Sequence, residues 1–349
     1  MATMRAAVVH ARGGPEVISV DEVPRPEVGP NEALVRVRAC ALNRMDIWAR
    51  TGPPQPVFPW KEIEYPVITG GDIAGEVEAI GSDVTSVKVG DRVTIYGGLS
   101  CGTCEFCRRG ENSMCPEYHI FGEHTQGGFA EYVSVPAANL EPLADGLDWV
   151  RAAAIPAGFG TAWRLVETAG QVTAGDLVLV LAAGGGVGVA AMEIARCAGA
   201  RVYAGASTEG KRAKALEWGA VGVVDTTQPF SKQVLELTNG RGVDIVVDSL
   251  GATWPESIRS LAPGGRLVCC GATLDNKPVF DIRELYQRHR SIRGAPMGNR
   301  SEFNRVVRMV GQGLLNPVVD SVFTLDQIRD AHRRADSRES YGKIVVTMP

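Results

Sequence analysis

Hydrophobic positions change their spacing near residue 150 of this 349-residue chain. Before that point, short segments such as 33–39 and 75–81 alternate apolar and polar residues and are separated by glycines. Alternation with a period of two is typical of half-buried strands, and many short strands with glycine turns favour a small antiparallel barrel. The proline-rich stretch 53–66 predicts a loop.

After residue 150 the pattern predicts strands that alternate with helices. Leu177–Leu181 is an unbroken apolar run, which suits a strand covered on both faces of a parallel sheet. Six strands with intervening helices make a doubly wound sheet, so this half is predicted to be α/β. The other strands are predicted at 201–206, 221–225, 243–248, 266–271 and 291–297, and the helices include 189–197, 254–261 and 281–288. The tail, 341–347, reads as one more strand.

A glycine-rich turn follows the first of these strands directly. Such a turn lets backbone N–H groups approach a pyrophosphate, and the next helix adds about half a positive charge at its N-terminus. The strict G-x-G-x-x-G pattern is not met, because Ala183 takes its first position. An ordinary tight turn is the alternative, but the strand–turn–helix–strand context favours dinucleotide binding. The predicted contacts in the turn are Gly185, Gly186, Val187 and Gly188.

Composition narrows the possible partners and the compartment. A net charge of −4 argues against nucleic acid or an anionic membrane, so a small-molecule substrate is expected. There is no apolar run of about 18 residues and no secretory h-region, so we expect a cytoplasmic protein. Four of the eight cysteines fall within fifteen residues, which is unlike a secreted disulfide framework.

Those four cysteines follow the pattern Cys-x2-Cys-x2-Cys-x7-Cys. Four thiolates on a short loop can surround one tetrahedral ion, and soft sulfur ligands favour zinc. Reduced surface cysteines or an iron–sulfur cluster are the alternatives. Four protein ligands leave no position open for substrate, so the zinc is predicted to be structural. The ligands are Cys101, Cys104, Cys107 and Cys115.

The glycine pattern of 70–93, the stretch 127–136 and the glycine-rich turn resemble the medium-chain dehydrogenase/reductase superfamily. The resemblance covers essentially the whole chain. It implies a GroES-like, mostly-β catalytic domain at residues 1–150, completed by 298–349, and a Rossmann domain at 151–297. The cysteine lobe, residues 99–116, corresponds to that of the zinc alcohol dehydrogenases. A homodimer or homotetramer is expected.

The resemblance also shows that the catalytic zinc ligands of those enzymes are missing. Alcohol dehydrogenases offer a Cys in C-x-[ST]-D, a His-Glu pair after a glycine, and a third ligand ahead of a Thr. The matching positions hold Asn43, Gly71, Asp72 and Ala157, and Met45 replaces the proton-relay hydroxyl. A single carboxylate does not hold a catalytic zinc, so we expect none.

Loss of this metal predicts the reaction class. Alcohol oxidation needs an alkoxide, which a bound metal makes accessible, whereas an activated C=C spreads the developing charge onto its own oxygen. Asn43-x-x-Asp46 resembles the quinone oxidoreductase (zeta-crystallin-like) branch, although Asn43 could be a turn residue. We therefore predict reduction of an enone, quinone or enoyl thioester. The alternatives are an alcohol or aldehyde dehydrogenase, or a non-catalytic NADPH-binding protein.

Further site residues come from the resemblance. Thr161 matches a position beside the nicotinamide, so the predicted catalytic residues are Asn43, Asp46 and Thr161. Arg44 matches a position that contacts pyrophosphate. The proton donor is open: His119 or His124 could serve, or both could be solvated loop residues. Additional predicted cofactor contacts are Leu250, Gly271, Ala272, Thr273 and Met297.

The end of the second Rossmann strand bears on the choice of cofactor. NAD enzymes place an acid there, but this chain has Ala206. Ser207 and Lys211 could bind a 2′-phosphate, with Arg212 beside them, whereas Glu209 is a contrary feature. NADP(H) is the predicted cofactor, together with one structural Zn²⁺.

Overall fold

The computed structural model describes residues 2–52 and 63–349. Most of the predicted loop 53–66 therefore lies outside the described residues. The strands are β1 (Thr3–Val9), β2 (Ile18–Pro24), β3 (Glu32–Ala41), β4 (Val67–Ile68), β5 (Asp72–Ile80), β6 (Arg92–Ile95), β7 (Gly98–Leu99), β8 (His119–Ile120), β9 (Tyr132–Pro136), β10 (Leu140–Pro142), β11 (Leu177–Leu181), β12 (Arg201–Ala206), β13 (Gly222–Asp225), β14 (Val243–Val247), β15 (Leu261–Cys269), β16 (Ser291–Gly294), β17 (Val319–Thr324) and β18 (Lys343–Thr347).

The helices are short, and a π-helical turn follows the fourth of them at Arg164–Ala169. Among the described residues, no helix is both long and apolar enough to cross a bilayer. The helices are α1 (Arg44–Thr51), α2 (Glu105–Arg108), α3 (Trp149–Ala153), α4 (Pro156–Trp163), α5 (Gly186–Cys197), α6 (Glu209–Glu217), α7 (Phe230–Leu237), α8 (Trp254–Ser260), α9 (Arg283–Tyr286), α10 (Arg300–Gly311) and α11 (Ile328–Asp336).

The chain forms two compact units. The first comprises Met1–Ala157, Asn299–Gly313 and Pro317–Pro349, and the second comprises Gly158–Gly298 and Leu314–Asn316. The predicted boundary at residue 150 lies seven residues too early. The reason is that α3 packs against β3, β5 and β18 of the first unit.

The first unit is the mostly-β domain that the resemblance implies. Its larger sheet has the order β10-β6-β5-β3-β18-β17, with β9 paired to β3, and a smaller sheet has the order β2-β1-β4. Residues that alternate along β3, such as Val35 and Val37, point into a core that also contains Ile73 and Phe129. The predicted tail strand, 341–347, is observed as β18, which pairs antiparallel with β3.

The second unit contains a six-stranded parallel sheet in the order β13-β12-β11-β14-β15-β16. This is the doubly wound order in which a dinucleotide binds beyond the carboxyl ends of the central strands. β11 and β12 have the predicted bounds. β16 ends at Gly294, three residues before the predicted end, and Met297 has a φ of +48° that a strand cannot contain. The predicted α/β fold class is confirmed.

Close packing at the start of α5 requires a glycine. A Cβ at Gly188 would lie 2.3 Å from the carbonyl oxygen of Ala182, which is a backbone atom that cannot easily move. By contrast, a Cβ at Gly210, in the first turn of α6, would meet nothing within 4 Å.

We predict that Gly188→Ala destabilises the protein by about 1–3 kcal/mol through overpacking of the turn. The matched variant Gly210→Ala should be neutral or stabilising by up to about 1 kcal/mol, because alanine is the better helix former. Urea denaturation followed by circular dichroism measures both. Equal effects of the two substitutions would contradict the packing of this turn.

Candidate active site

In the first unit, the C-terminal end of β3 lies between the N-terminal ends of β5 and β18. Ala41, the last residue of β3, pairs with Asp72, the first residue of β5. On the other side of β3, the N–H of Leu42 donates to the carbonyl of Ile344 at 2.9 Å. The antiparallel registers therefore bring Asn43, Asp72 and Lys343 together.

The ammonium of Lys343 is the centre of this cluster. Its Nζ donates to Asn43 Oδ1 at 2.6 Å and to Asp72 Oδ2 at 2.8 Å. The side chains of Lys343 and Asp72 are only 7% and 2% exposed, so this is a buried ion pair. The second carboxylate oxygen of Asp72 accepts a hydrogen bond of 2.8 Å from the N–H of Ala157. Two of the four positions matched to lost zinc ligands thus contact the lysine, and a third, Ala157, contacts Asp72.

This cluster does not fit a catalytic zinc. The positive charge of Lys343 lies within hydrogen-bonding distance of the side-chain oxygens of Asn43 and Asp72. Zinc prefers thiolate or imidazole ligands, and neither the amide of Asn43 nor Gly71 supplies one. A Cβ at Gly71 would lie 2.7 Å from the carbonyl oxygen of Phe121. A histidine at this position would therefore need the neighbouring backbone to move.

The Lys343 contact fixes the direction of the Asn43 amide. Because Oδ1 accepts from the ammonium, Nδ2 must be the other arm of the planar group. This Nδ2 is buried and has no hydrogen-bond partner within the described part of the chain. A buried donor without a partner is costly and uncommon in folded proteins. A ligand oxygen that accepted a hydrogen bond from it would remove this cost.

Asp46 holds the backbone on which Asn43 sits. Its Oδ2 accepts from the N–H of Asn43 at 2.7 Å, and its Oδ1 accepts from the N–H of Gly70 at 2.8 Å. Burial raises the pKa of Asp46 to about 6, while the hydrogen bond from Asn43 opposes the shift. Both oxygens are thus occupied by backbone, and the side chain positions Asn43. Arg44, the residue after Asn43, begins α1 and is half-buried. Burial is the main cause that lowers the pKa of Arg44, and the positive charge of Arg338 lowers it further.

The four cysteines predicted as metal ligands come together. Their sulfur atoms all lie within 4.8 Å of one another, a spacing that one metal ion can bridge. The N–H of Cys104 points at Cys101 Sγ over 3.3 Å, and the N–H of Cys107 points at Cys104 Sγ over 3.5 Å. Hydrogen bonds from the backbone of Thr103 and Cys104 lower the pKa of Cys101 to about 6, which favours the thiolate. The donor set fits a metal ion.

The cysteine lobe is anchored by one buried residue, Asn299. Its Oδ1 accepts from the backbone N–H and the hydroxyl of Ser113, at 3.1 and 3.0 Å. Its Nδ2 donates to Glu111 at 2.8 Å. Asn299 is also the N-cap residue of α10, so the lobe is tied to a helix of the same unit.

In the second unit, the predicted cofactor turn has the geometry for a pyrophosphate. Gly185 is the N-cap residue of α5, and Gly186, Val187 and Gly188 form its first turn. The close approach of Gly188 to Ala182 leaves no room for a side chain, and the free N–H groups of the twelve-residue helix suit an anion. A dinucleotide fits this turn.

The other predicted cofactor residues of this unit lie near the carboxyl ends of its strands. Leu250 follows β14, and Thr273, after β15, donates its N–H to Ser249 O at 3.0 Å. Gly271 and Ala272 directly precede Thr273. Thr161 on α4 is buried, and its hydroxyl lies 3.7 Å from the sulfur of Met297.

The residues after β12 include an arginine with two contacts at the end of that strand. Ser207 is exposed, and the N–H of Lys211 donates to the N-cap hydroxyl of Thr208 at 3.4 Å. Arg212 donates to the carbonyl of Ala206 at 3.0 Å and lies 3.3 Å from Asp225. Arg212 is therefore held at the end of β12 by an acid on the neighbouring strand.

Sequence reasoning missed three charged residues of these sites: Lys343, Glu123 and Asp225. Lys343 had a detectable signal, since it is a cation at the head of an otherwise apolar strand in the stretch 341–347. Its partners, however, are 271 and 300 residues away in sequence. Only the strand register brings them together. Glu123 lies in a loop with no periodic pattern, and its carboxyl is buried.

The comparisons with known proteins agree with this architecture. Residues 29–145 match the alcohol dehydrogenase GroES-like domain, and residues 186–312 match the zinc-binding dehydrogenase family. An acryloyl-coenzyme A reductase of Sulfurisphaera tokodaii is 30% identical over 98% of this chain and 99% of its own. A crystal structure described as an NAD-dependent alcohol dehydrogenase is 43% identical with a TM-score of 0.93, covering 99% and 100% of the two chains. A crotonyl-CoA carboxylase/reductase in complex with NADP is 26% identical with a TM-score of 0.90, over 99% and 94%.

A GroES-like unit with a four-cysteine lobe and a Rossmann unit define a nucleotide-dependent oxidoreductase of the alcohol dehydrogenase type. The chain belongs to the medium-chain dehydrogenase/reductase superfamily, and the predicted family is confirmed.

Replacement of Lys343 should show how much the Lys343–Asp72 ion pair contributes to the free energy of unfolding. We expect Lys343→Met to destabilise the protein by about 3–5 kcal/mol, because it leaves a buried carboxylate without its partner. The double variant Lys343→Met with Asp72→Asn should recover part of the loss, since the asparagine carries no charge and can still accept from Ala157. Urea denaturation of both variants measures the difference. A single variant as stable as the parent would show that the ion pair is not buried in solution.

Proposed function

We propose that this enzyme uses NADPH to reduce a conjugated C=C bond or a quinone, without a catalytic zinc. The substrate classes are an enone, a quinone or an enoyl thioester. The observation that carries the proposal is the Nδ2 of Asn43, which is buried, has no hydrogen-bond partner within residues 2–52 and 63–349, and is held in its direction by Lys343.

Charge on the substrate oxygen explains why such a donor is sufficient. NADPH supplies the hydride, and as it reaches the β carbon, the π electrons move towards the carbonyl oxygen. A donor that is already oriented stabilises this oxygen more in the transition state than in the ground state. The Lys343 ammonium on Oδ1 withdraws electron density from the amide and strengthens Nδ2 as a donor. Asn43 and Lys343 together perform the charge-stabilising role of a metal.

The relatives support this reaction but leave one rival. One of the similar proteins is described as an acryloyl-coenzyme A reductase and another as a crotonyl-CoA carboxylase/reductase, and both names refer to enoyl thioesters. The 43%-identical structure is described as an alcohol dehydrogenase, which makes alcohol oxidation the second candidate. Alcohol oxidation needs a group that makes the alkoxide accessible. The Asn43–Asp72–Lys343 cluster offers no metal ligand set for that purpose.

We expect Asn43→Ala to lower kcat for enone reduction by roughly 10²–10³-fold, the usual effect of losing an oxyanion donor. NADPH binding should stay unchanged, because the cofactor residues proposed above are untouched. Steady-state kinetics and fluorescence titration measure the two quantities. Asn31→Ala, on an exposed turn, is the matched control. An unchanged kcat for Asn43→Ala would show that another donor serves the substrate oxygen.

We infer that NADPH is preferred over NADH. The strand end that carries an acid in NAD enzymes carries Ala206, and Ser207 and Lys211 follow it. Asp225 opposes this preference, but its charge is compensated by Arg212 at 3.3 Å. Lys211, a cation in the first turn of α6, is the main candidate for the 2′-phosphate.

NADPH should bind about tenfold to a hundredfold more tightly than NADH, since one charged hydrogen bond contributes about 1.5–3 kcal/mol. Lys211→Ala should reduce this ratio, whereas Lys214→Ala, on the same helix, should not. Calorimetric titration with each nucleotide gives the ratio. Equal affinities of the parent protein for NADPH and NADH would refute the assignment.

We propose that the metal of the cysteine lobe is zinc, with a structural role. Four thiols that converge within 4.8 Å, with backbone N–H groups directed at their sulfur atoms, suit a tetrahedral zinc–thiolate site. All four positions are then filled by protein, so this metal stabilises the loop and does not meet the substrate.

Elemental analysis of the dialysed protein should find one zinc per chain. Cys104→Ser should lose most of the metal and loosen the lobe, because binding of a structural zinc contributes directly to local folding. Cys197→Ser, at an exposed cysteine outside the lobe, is the control and should retain the zinc. Two tightly bound zinc ions per chain would contradict the loss of the catalytic site.

We further expect the enzyme to act in the cytoplasm as a homodimer or homotetramer. The cluster of reduced thiols suits a reducing compartment. The net charge of −4 gives no reason to expect a nucleic acid or an anionic membrane as a partner.

A further inference from the structure

Reduction of a C=C bond needs a proton as well as a hydride, and the histidines considered for this role are engaged elsewhere. The Nδ1 of His119 lies 2.7 Å from the carbonyl oxygen of Glu117. The Nδ1 of His124 accepts from the N–H of Ile120 at 3.0 Å. Each ring therefore has at least one nitrogen committed to its own loop.

Between these histidines lies a carboxyl group with different surroundings. The residue Glu123 is 8% exposed, and its Oε2 is buried without a hydrogen-bond partner in residues 2–52 and 63–349. An ionised carboxylate in such a place is strongly disfavoured, so the acid form is the stable one. Burial, followed by the charge of Asp46, raises the pKa of Glu123 to about 8.

The loop that carries Glu123 packs against the backbone that supports Asn43. A Cβ at Gly122 would lie 2.6 Å from the backbone of Gly70, so the loop packs directly on that residue. Gly70 in turn donates to Asp46, which accepts from the N–H of Asn43. The Glu123 loop and the Asn43 donor therefore belong to one packed cluster of the first unit.

We propose that Glu123 is the general acid that protonates the α carbon of the substrate. This inference rests on the proposed function. In a conjugated carbonyl compound the α carbon is bonded to the carbonyl carbon, so a donor near the oxygen site is near the α carbon as well.

The step balances as an addition of two hydrogens across C=C. After hydride has been added to the β carbon, the substrate is an enolate with an electron pair shared by the α carbon and the oxygen. This pair forms a C–H bond with the proton of Glu123, the O–H bond of the acid breaks, and the carboxylate regains a proton from water. The substrate is reduced by two electrons, and NADPH, the hydride donor, is oxidised.

Glu123→Gln tests the proposal with little change in shape, because the amide resembles the neutral acid. We expect kcat for an α-methyl enone to fall roughly 10²–10⁴-fold, the range for loss of a general acid. The parent enzyme should give one configuration at the α carbon, whereas the variant should give a mixture, since solvent then protonates the enolate. Loss of stereochemistry is not the result of a merely structural role.

The pH profile provides a second readout. For the parent enzyme, kcat should fall as the pH rises through about 8, because Glu123 then loses its proton. This fall should be absent in Glu123→Gln. The charge of Asp46 on α1 acts on Glu123, and Asp46 itself lies near Asp72 on β5, Lys343 on β18 and Cys40 on β3. The histidines of the same segment are His119 on β8 and His124.

Infrared spectroscopy tests the protonation state without turnover. At pH 7 the parent protein should show a protonated-carboxyl band that disappears in Glu123→Gln. His119→Gln is the rival variant and should keep the rate and the single α configuration. Retention of rate and configuration by Glu123→Gln would overturn the role of Glu123 and leave the proposed function standing. A parent enzyme that does not reduce enones, quinones or enoyl thioesters would overturn both.

Discussion

The buried ion pair between Lys343 and Asp72 is the interaction on which the proposed chemistry depends. Two opposite charges removed from water are stable only when their remaining hydrogen-bonding groups are satisfied. Asp72 achieves this with the N–H of Ala157, and Lys343 achieves it with the oxygen of Asn43. The lysine thus needs the asparagine oxygen. The asparagine nitrogen has no partner among the described residues, and it is the group that we propose binds the substrate.

In this arrangement a hydrogen-bond donor takes the place of a catalytic metal ion. A metal ion offers its charge directly to a substrate oxygen, whereas here the charge of Lys343 is transmitted through an amide. A neutral N–H donor stabilises an enolate oxygen but does not make an alcohol acidic. Reduction of an activated double bond is therefore within reach of the site, and the remaining requirement is a proton for the α carbon. Glu123, kept neutral by burial, is suited to supply it.

Much of the fold could be predicted from local pattern. The apolar run of β11, the glycine turn and β12 carry their structure in adjacent residues, and the spacing of the four cysteines is sufficient to predict that their sulfur atoms converge. The active site could be predicted only in part. Asn43 and Asp72 were found because they replace known ligands, but Lys343 joins them through strand register across some 300 residues. Glu123 required knowledge of burial, which a loop sequence does not reveal.

We propose that the site stabilises charge on a conjugated oxygen and does not activate a simple carbonyl or alcohol. The most direct measurement compares the rates at which the enzyme reduces a conjugated enone and its matched saturated ketone with NADPH. We predict that the enone is reduced faster and that the product retains its carbonyl group. Faster reduction of the saturated ketone would contradict the proposed reaction.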